Sequence, residues 1–324
     1  MKEPTFVDVL KARQTIAKYL KPTPFSKSVP LSKKLGFDAY IKCENLQPIG
    51  AFKARGAINL ISKLSEDEKR RGVITASTGN HGLAIVYASS LFGVKATVCA
   101  AVGANPHKMQ AIRDLGGHVK LHGKDFDEAI VWGERKAREK DCRYIHPANE
   151  PLLIAGVGTM YLEILEELPD VDAIFVPIGG GSSAAAAGIV VKAINPATKV
   201  IGVQAKGARS FYESWKSGKM IEMKTAQTFA DGIATRVPYE LTMGIIRRSI
   251  DKIVLVSDED IKRAIILLLE TTHQLAEGAG AASVAAAFNM KQELKGKKVA
   301  LIISGGNLML NALRDILNAP RSDL

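Results

Sequence analysis

Short apolar runs rich in β-branched residues alternate with longer segments of helical pattern along most of this chain. The runs that predict strands are GVITAS, KATVCAA, HVKLHG, DAIFVPI, KVIGVQA, KIVLVS and KVALIIS. The segments that predict helices are NHGLAIVYASSLFG, DEAIVWGERKARE, GTMYLEILEEL, AAAAGIVVKAI and DEDIKRAIILLLETTHQLAEG. Strands that alternate with helices form parallel sheets covered by helices. The pattern therefore predicts an α/β protein with mainly parallel sheets.

The positions of these runs also predict how the chain is divided. Its 324 residues are enough for one large domain or two medium ones. The strand candidates nearest the N-terminus span too few residues for a second large sheet. We therefore expect a small domain at residues 71–149, inserted into a larger domain made of residues 1–70 and 150–324.

Three predicted strands run into loops of small residues, at positions 74–82, 175–188 and 301–307. We expect each loop to open a helix and to present backbone N–H groups to an anion at the carboxyl end of its strand. The second loop is the strongest phosphate candidate, because its glycines allow close approach and its serines add donors. Its residues are Gly179, Gly180, Gly181, Ser182 and Ser183. A tight strand-to-helix turn without a ligand remains the alternative.

Composition and charge exclude several classes of partner. The net charge is +11, but Lys and Arg are mixed with acidic residues along helices and are not interleaved with aromatic residues. We therefore expect no nucleic-acid partner, although a basic surface can attract anionic small molecules. No run approaches the roughly 18 apolar residues of a membrane helix, so we expect no membrane partner and a cytoplasmic protein. The three cysteines are far apart and predict neither disulfides nor a zinc site.

The stretch QPIGAFKARGA, residues 47–57, places Lys53 between Phe52 and a small residue, with glycines on both sides. A buried amine with a lowered pKa can form a Schiff base with an aldehyde. Together with a phosphate-binding loop, such an amine indicates pyridoxal 5'-phosphate as the cofactor. The alternative is an exposed lysine in a turn before a helix.

Seven motifs occur in an order and spacing that resemble a known family. They are ENLQPIGAFKARGA, ASTGNHG, IAGVGTMYLEI, PIGGGSS, FADGIA, EGAGAAS and IISGGN. The chain resembles the fold type II pyridoxal-phosphate enzymes, and within them the serine/threonine dehydratase and serine racemase branch. The resemblance implies the tryptophan synthase β-like fold, with two three-layer αβα domains. It also implies an amino-acid substrate and a homodimer.

The resemblance implies a role for each matching residue. Lys53 resembles the lysine that holds the cofactor and moves the Cα proton, and Phe52 resembles the residue beside the ring. Asn80 resembles the partner of the phenolic oxygen, Ser304 the residue facing the pyridine nitrogen, and Glu277 lies in a segment near the ring. Residues 179–182 resemble the phosphate loop. The substrate carboxylate would be held by Ser77, Thr78, Gly79, Asn80 and His81.

The implied activity is α,β-elimination from a 3-hydroxy amino acid. A serine opposite the pyridine nitrogen cannot keep it protonated, so the ring is a weaker electron sink and elimination is favoured over transamination. L-Threonine and L-serine are the expected substrates, and a 2-keto acid and ammonia the products. The protein would thus be a lyase of the threonine ammonia-lyase class.

Departures from the family pattern leave alternatives open. Ala51 stands where the family usually has serine, and Ala148 and Asn149 stand where many relatives have Phe and Asp. A pocket changed at Ala148 could accept a bulkier substrate such as a phenylserine or an ectoine-derived compound, or could reflect compensated packing. Thr78 carries a hydroxyl at the position of the racemase acid/base, so serine racemase is a further alternative.

Metal binding and regulation are also addressed by the resemblance. Relatives often hold a divalent ion through acids, but this chain has Gln204, Ala208 and Ser210 at the corresponding places. Neutral oxygens are poor ligands for Mg²⁺ or Ca²⁺, so we expect no metal site of that kind, while carbonyls could still hold a monovalent cation. Few residues follow the last motif, so we expect no regulatory domain and no feedback control by isoleucine.

Overall fold

Two compact units are present in the computed structural model, which describes residues 2–124 and 126–319. Of these residues, 21–52 and 158–319 form the first unit, and 2–20 and 53–157 form the second. The predicted insert at residues 71–149 lies within the second unit, and the limits of the two domains stay a prediction. Throughout the described residues, no helix is both long and apolar enough to cross a membrane.

The strands of the described residues are short, from three to seven residues. They are β1 (Phe25–Lys27), β2 (Asp38–Cys43), β3 (Val73–Ala76), β4 (Ala96–Ala100), β5 (His118–Leu121), β6 (Arg143–Ile145), β7 (Ala173–Pro177), β8 (Lys199–Ala205), β9 (Lys252–Val256) and β10 (Lys298–Ile303).

Helices connect nearly all of these strands. They are α1 (Phe6–Ile16), α2 (Val29–Leu35), α3 (Lys53–Ile61), α4 (Glu66–Arg71), α5 (Asn80–Leu91), α6 (Pro106–Asp114), α7 (Phe126–Glu139), α8 (Pro151–Glu167), α9 (Ser182–Ile194), α10 (Ser210–Ser217), α11 (Glu240–Ser249), α12 (Asp258–Thr272), α13 (Gly278–Asn289) and α14 (Leu310–Asn318). Two short 3-10 turns occupy Glu44–Leu46 and Asp231–Ile233.

The first unit contains a six-stranded sheet in the order β1-β2-β10-β7-β8-β9. Strand β1 pairs with β2 in the antiparallel sense, and every other pair is parallel. All five residues of β7 are buried, as expected for a strand covered on both faces. Helices α2, α12 and α13 contribute to one core with the sheet, which includes Phe175, Ile265 and Leu301.

The second unit contains a four-stranded parallel sheet in the order β5-β4-β3-β6. Helix α7 packs against β3 and β4, and α5 packs against α3 and β4. The core between α7 and the sheet includes Ile74, Cys99 and Ala137. In this unit, as in the first, the carboxyl ends of parallel neighbours lie at one edge of the sheet, where ligands of α/β proteins bind.

The predicted fold class is confirmed, and all seven predicted strands are present. Strands β1, β2 and β6 were not predicted. The predicted helix over residues 258–278 was too long, because α12 ends at Thr272 and His273 adopts a left-handed conformation with φ 56°. A separate helix, α13, then begins at Gly278.

A buried ion pair crosses the first unit. The Lys42 ammonium donates to a Glu163 carboxylate oxygen at 2.7 Å and to the Thr23 carbonyl at 2.8 Å. The two charged side chains are 0% and 5% exposed. Glu44, two residues along the chain, accepts from the Thr23 hydroxyl at 2.6 Å and from the Gln47 amide at 3.2 Å. This network stabilises the unit only while each charge keeps its partner.

We expect Lys42→Met to lower the free energy of unfolding by about 3–5 kcal/mol, because it removes the ammonium group that offsets the buried charge of Glu163. Adding Glu163→Leu should restore most of that loss. The control is Lys27→Met, which removes the pair that Lys27 forms with Asp38 where both side chains are about 40% exposed, and should cost less than about 1 kcal/mol. Urea unfolding measures all three, and equal losses for the two lysine variants would contradict this account.

Candidate active site

Lys53 is the first residue of α3, in the second unit, and its side chain is half-buried. Burial lowers the pKa of Lys53 to about 8. The positive end of the helix dipole also disfavours a charged amine at a first helical residue. A substantial fraction of the amine is therefore neutral near physiological pH, which makes it a nucleophile and a base.

The loop after β3 leads directly into α5, as the sequence predicted. The Ser77 hydroxyl accepts from the Gly79 amide at 3.1 Å and from the Gly82 amide at 2.9 Å, which fixes the turn. Helix α5 begins at Asn80, and among the described residues no side-chain hydrogen bond caps it at Gly79. The exposed Thr78 lies in the same loop. The backbone amides in the first turn of α5 can therefore bind a carboxylate.

The His81 ring is buried and turned towards β3. The Thr75 hydroxyl donates its single proton to the Ile145 carbonyl at 2.8 Å, so at 2.9 Å it can only accept from Nε2–H of His81. Burial, and then the charges of Lys53 and His146, keep the pKa of His81 well below its ordinary value. The neutral His81 ring therefore holds the loop against β3. The backbone amide of His81 is the group that could donate a hydrogen bond to a substrate.

His146 shapes the loop after β6, the strand beside β3. Its Nδ1 accepts from the amides of Ala148 and Asn149 at 3.0 and 2.9 Å. Burial lowers the pKa of His146 to about 4, so the ring is neutral and Nδ1 stays an acceptor. The loop with Ala148 lies at the same sheet edge as the loop with Asn80. Ala148 is fully buried, and its predicted contact with a substrate stays a prediction.

In the first unit, the loop between β7 and α9 is built on glycine. A Cβ atom on Gly179 would lie 2.2 Å from the Gly232 carbonyl oxygen, so no larger residue fits there. Gly181 has φ 86° and precedes α9, which no side chain of the described residues caps. The Thr242 hydroxyl donates to the Gly180 carbonyl at 2.9 Å and holds the loop. Ser182 and Ser183, both buried, form the first turn of α9.

Three further predicted motifs meet this loop in the first unit. A Cβ atom on Gly280 would lie 2.2 Å from the Gly305 carbonyl oxygen, and the Glu277 amide donates to that oxygen at 3.0 Å. A Glu277 carboxylate oxygen lies 3.7 Å from the place a Cβ would take on Gly232. The motifs FADGIA, EGAGAAS, PIGGGSS and IISGGN are therefore packed together, backbone against backbone.

The prediction that the third small-residue loop, at positions 301–307, opens a helix was wrong. Helix α14 begins only at Leu310. Instead, Gly305 pairs with Ala51 as an antiparallel bridge, and the Phe52 amide donates to the Ser304 carbonyl at 3.0 Å. These hydrogen bonds satisfy the loop in place of a helix. They fix the peptide that directly precedes Lys53.

Lys108 was missed by the sequence analysis. It lies in the first turn of α6, which Asn105 caps, and its Nζ is 3.8 Å from the place a Cβ would take on Gly79. A cation in the first turn of a helix interacts unfavourably with the helix dipole. This unfavourable position is the feature of the sequence that could have pointed to Lys108. The ammonium adds positive charge beside the loop that opens α5.

The residues at the expected metal positions take part in hydrogen bonds within the protein. Gln204 donates to the Ile178 carbonyl at 3.5 Å and accepts from the Tyr212 amide at 2.8 Å, and the Ser210 hydroxyl donates to the Thr235 carbonyl at 2.9 Å. Across residues 2–124 and 126–319, no group of three or more His, Cys, Asp or Glu side chains could hold a metal ion.

The predicted site residues thus form two groups, one in each unit. The second unit provides a weakly basic amine and amides suited to a carboxylate, and the first provides a glycine loop and two hydroxyls at a helix N-terminus. An amine of this kind suits an aldehyde, and such a loop suits a phosphate.

Comparison with known proteins agrees with a site that binds an aldehyde and a phosphate. The family model described as pyridoxal-phosphate dependent enzyme matches residues 16–305. An L-threonine ammonia-lyase of Thermotoga maritima is 42% identical over 97% of this chain and 78% of its own length. Threonine deaminase isoform 2 of Solanum lycopersicum superposes with a TM-score of 0.92 at 34% identity, covering 97% of this chain and 92% of that one. Maize serine racemase superposes with a TM-score of 0.92 at 32% identity, and the match covers 98% of this chain and 97% of that one.

We expect His146→Asn to reduce the loss of folding stability that occurs as the pH falls below about 6.5. The folded-state pKa of His146 lies below its unfolded value, so the unfolded chain binds more protons and stability falls as pH falls from about 6.5 towards 4. Asparagine can still accept from the loop amides but does not titrate. Melting temperatures at several pH values between 7.5 and 4.5 measure the effect. The exposed His118, changed to Asn, is the control and should leave the profile unchanged.

Proposed function

The chain belongs to the family of pyridoxal-phosphate dependent enzymes, and we propose that it is an ammonia-lyase acting on L-threonine and L-serine. It removes the β-hydroxyl as water, and the product takes up water again and releases ammonia. The net reaction converts the amino acid to a 2-keto acid and ammonia. The threonine ammonia-lyase and threonine deaminase relatives support this assignment.

The observation that carries the proposal is the lowered pKa of Lys53, about 8, beside a loop suited to a carboxylate. An enzyme that acts on Cα of an amino acid needs a base that is neutral near physiological pH. It also needs a fixed anion site that orients the substrate. Lys53 and the first turn of α5 supply both within the second unit.

Pyridoxal phosphate, when bound, draws electrons from the Cα–H bond of an amino acid and makes that proton acidic. Lys53 would hold its aldehyde carbon, and the Lys53 amine would accept the Cα proton of the substrate. The amides from Ser77 to His81 and the Lys108 ammonium orient the substrate carboxylate. The other residues proposed to hold the cofactor are Phe52, Asn80, Gly179, Gly180, Gly181, Ser182, Ser183, Glu277 and Ser304.

The Ser304 hydroxyl directs the reaction towards elimination. A carboxylate facing the pyridine nitrogen would keep that nitrogen protonated, whereas a neutral hydroxyl does not. Pyridoxal phosphate held opposite Ser304 would be a weaker electron sink, which would favour loss of the β-hydroxyl over reprotonation at another carbon. Elimination therefore dominates over transamination.

Serine racemisation is the second candidate function. The exposed Thr78 hydroxyl favours it, because a donor in this loop could return a proton to Cα. The similarity to maize serine racemase also supports it. The threonine branch is preferred, since two L-threonine ammonia-lyases are 42% and 41% identical to this chain, whereas two serine racemases are 36% and 32% identical.

The proposal includes a homodimer in the cytoplasm. The dimer follows from the family resemblance. The described cysteines, Cys43, Cys99 and Cys142, are all free thiols, which suits a reducing compartment.

We expect the cofactor-loaded protein to release keto acid from L-threonine and L-serine, and Lys53→Ala to lose this activity at least about a thousandfold. Lys63→Ala, an exposed lysine just after the same helix, is the control and should remain active. Borohydride reduction of the wild type should attach the cofactor to the peptide that contains Lys53.

The same assay includes L-threo-phenylserine and a chiral measurement of serine. Preference for phenylserine would establish the bulkier-substrate alternative, and formation of D-serine without keto acid would establish the racemase. A yellow protein that releases no keto acid from any of the three substrates would exclude the dehydratase.

We expect Lys108→Gln to raise KM for L-threonine about tenfold while kcat changes little, because one charge-assisted contact to the carboxylate is lost. Lys108→Arg should retain most of the affinity. Lys120→Gln, which changes an exposed lysine on β5 of the same unit, is the control. Steady-state kinetics at equal cofactor content provide the test, and an unchanged KM in Lys108→Gln would remove Lys108 from the site.

A further inference from the structure

A phenol lies buried beside the first turn of α9, and the sequence analysis assigned it no role. Tyr161, on α8, is 0% exposed, and its hydroxyl is 2.7 Å from the hydroxyl of Ser183. Ser183 is the second residue of α9 and is 4% exposed. Both residues belong to the first unit, as does the glycine loop that precedes α9.

The two hydroxyls hold two protons, and the bond between them uses only one. Among residues 2–124 and 126–319, neither hydroxyl has another hydrogen-bond partner. If Ser183 donated to Tyr161, the phenolic proton would stay buried without an acceptor. If Tyr161 donates to Ser183, the remaining proton belongs to Ser183, at a helix N-terminus that favours an anion.

An anion at this helix N-terminus therefore decides between the two arrangements. It accepts the remaining proton only when that proton is on Ser183, so binding selects Tyr161 as the donor. Burial raises the pKa of Tyr161, and the phenol stays protonated and able to donate. A hydroxyl that accepts one hydrogen bond is also a stronger donor in the next.

We propose that Tyr161 is a positioning residue, whose hydroxyl donates to Ser183 and so directs the Ser183 proton to the phosphate of the cofactor. This inference rests on the proposed function, because it needs pyridoxal phosphate as the ligand. Tyr161 itself does not touch the phosphate. Thr242 holds the same loop through the Gly180 carbonyl, so the loop remains formed when the phenolic oxygen is removed.

The test compares pyridoxal phosphate with pyridoxal, which lacks the phosphate. The cofactor-free full chain is titrated with each, and binding is followed by absorbance. Tyr161→Phe should weaken the binding of pyridoxal phosphate about tenfold and leave pyridoxal binding unchanged. Ser183→Ala should have a similar effect, and the double variant should bind no worse than either single variant, since all three lose the same directed hydrogen bond from Ser183 to the phosphate.

Tyr40→Phe is the matched control, because it removes a phenolic oxygen from β2 of the same unit and should change neither affinity. Melting temperatures show whether each variant is folded. Equal weakening of pyridoxal and pyridoxal phosphate by Tyr161→Phe would overturn the inference in favour of a packing role. Unchanged or additive effects of the two variants would also overturn it. Failure of the wild type to bind pyridoxal phosphate would overturn the proposed function and this inference together.

Discussion

Backbone packed directly against backbone is the constraint on which the first unit depends. Gly179 faces the Gly232 carbonyl and Gly280 faces the Gly305 carbonyl, each so closely that a Cβ atom would lie 2.2 Å away. Without side chains between them, the loops at the sheet edge keep their amides close together and correctly directed. A phosphate site made of amides needs that proximity, because an amide has no rotamers with which to reach a distant anion. The glycines therefore matter because they have no Cβ atom that would hold the loops apart.

Polar side chains hold loops in place in both units. The Ser77 hydroxyl fixes the turn before α5, and the rings of His81 and His146 fix the loops after β3 and β6. In the first unit, Thr242 does the same for Gly180. Each side chain satisfies groups that would otherwise be buried without partners. The amides at the start of α5 and α9 are thereby left in fixed positions for a substrate or cofactor.

Elements that depend on a local sequence pattern were predicted correctly. Elements that depend on contacts between residues far apart in the chain were missed. The predicted strands are mostly apolar runs that can be recognised without knowing their partners, and β5, with His118 and Lys120, is the exception. Strand β2 was missed because Lys42 interrupts its apolar run, and the buried ammonium of that lysine is paired with Glu163, 121 residues away, and with the Thr23 carbonyl. The pairing of Tyr161 with Ser183 likewise joins two helices and leaves no spacing to read. The order of the motifs pointed to Lys53 and the glycine loops, and the roles of these residues stay a prediction.

Burial is the main reason why the His81 and His146 rings are neutral, and at His81 the charge of Lys53 adds to it. A proton on His81 would place a second buried cation near Lys53, and their mutual repulsion lowers the pKa of His81 further. Because Nε2 of His81 already donates to Thr75, that proton would have to enter at Nδ1. The arrangement keeps the ring neutral throughout the physiological range. Lys53, with its pKa of about 8, is then the group beside this loop whose charge changes near neutral pH. In the proposed reaction, a substrate carboxylate near Lys53 would favour the charged form of the amine and so raise its pKa.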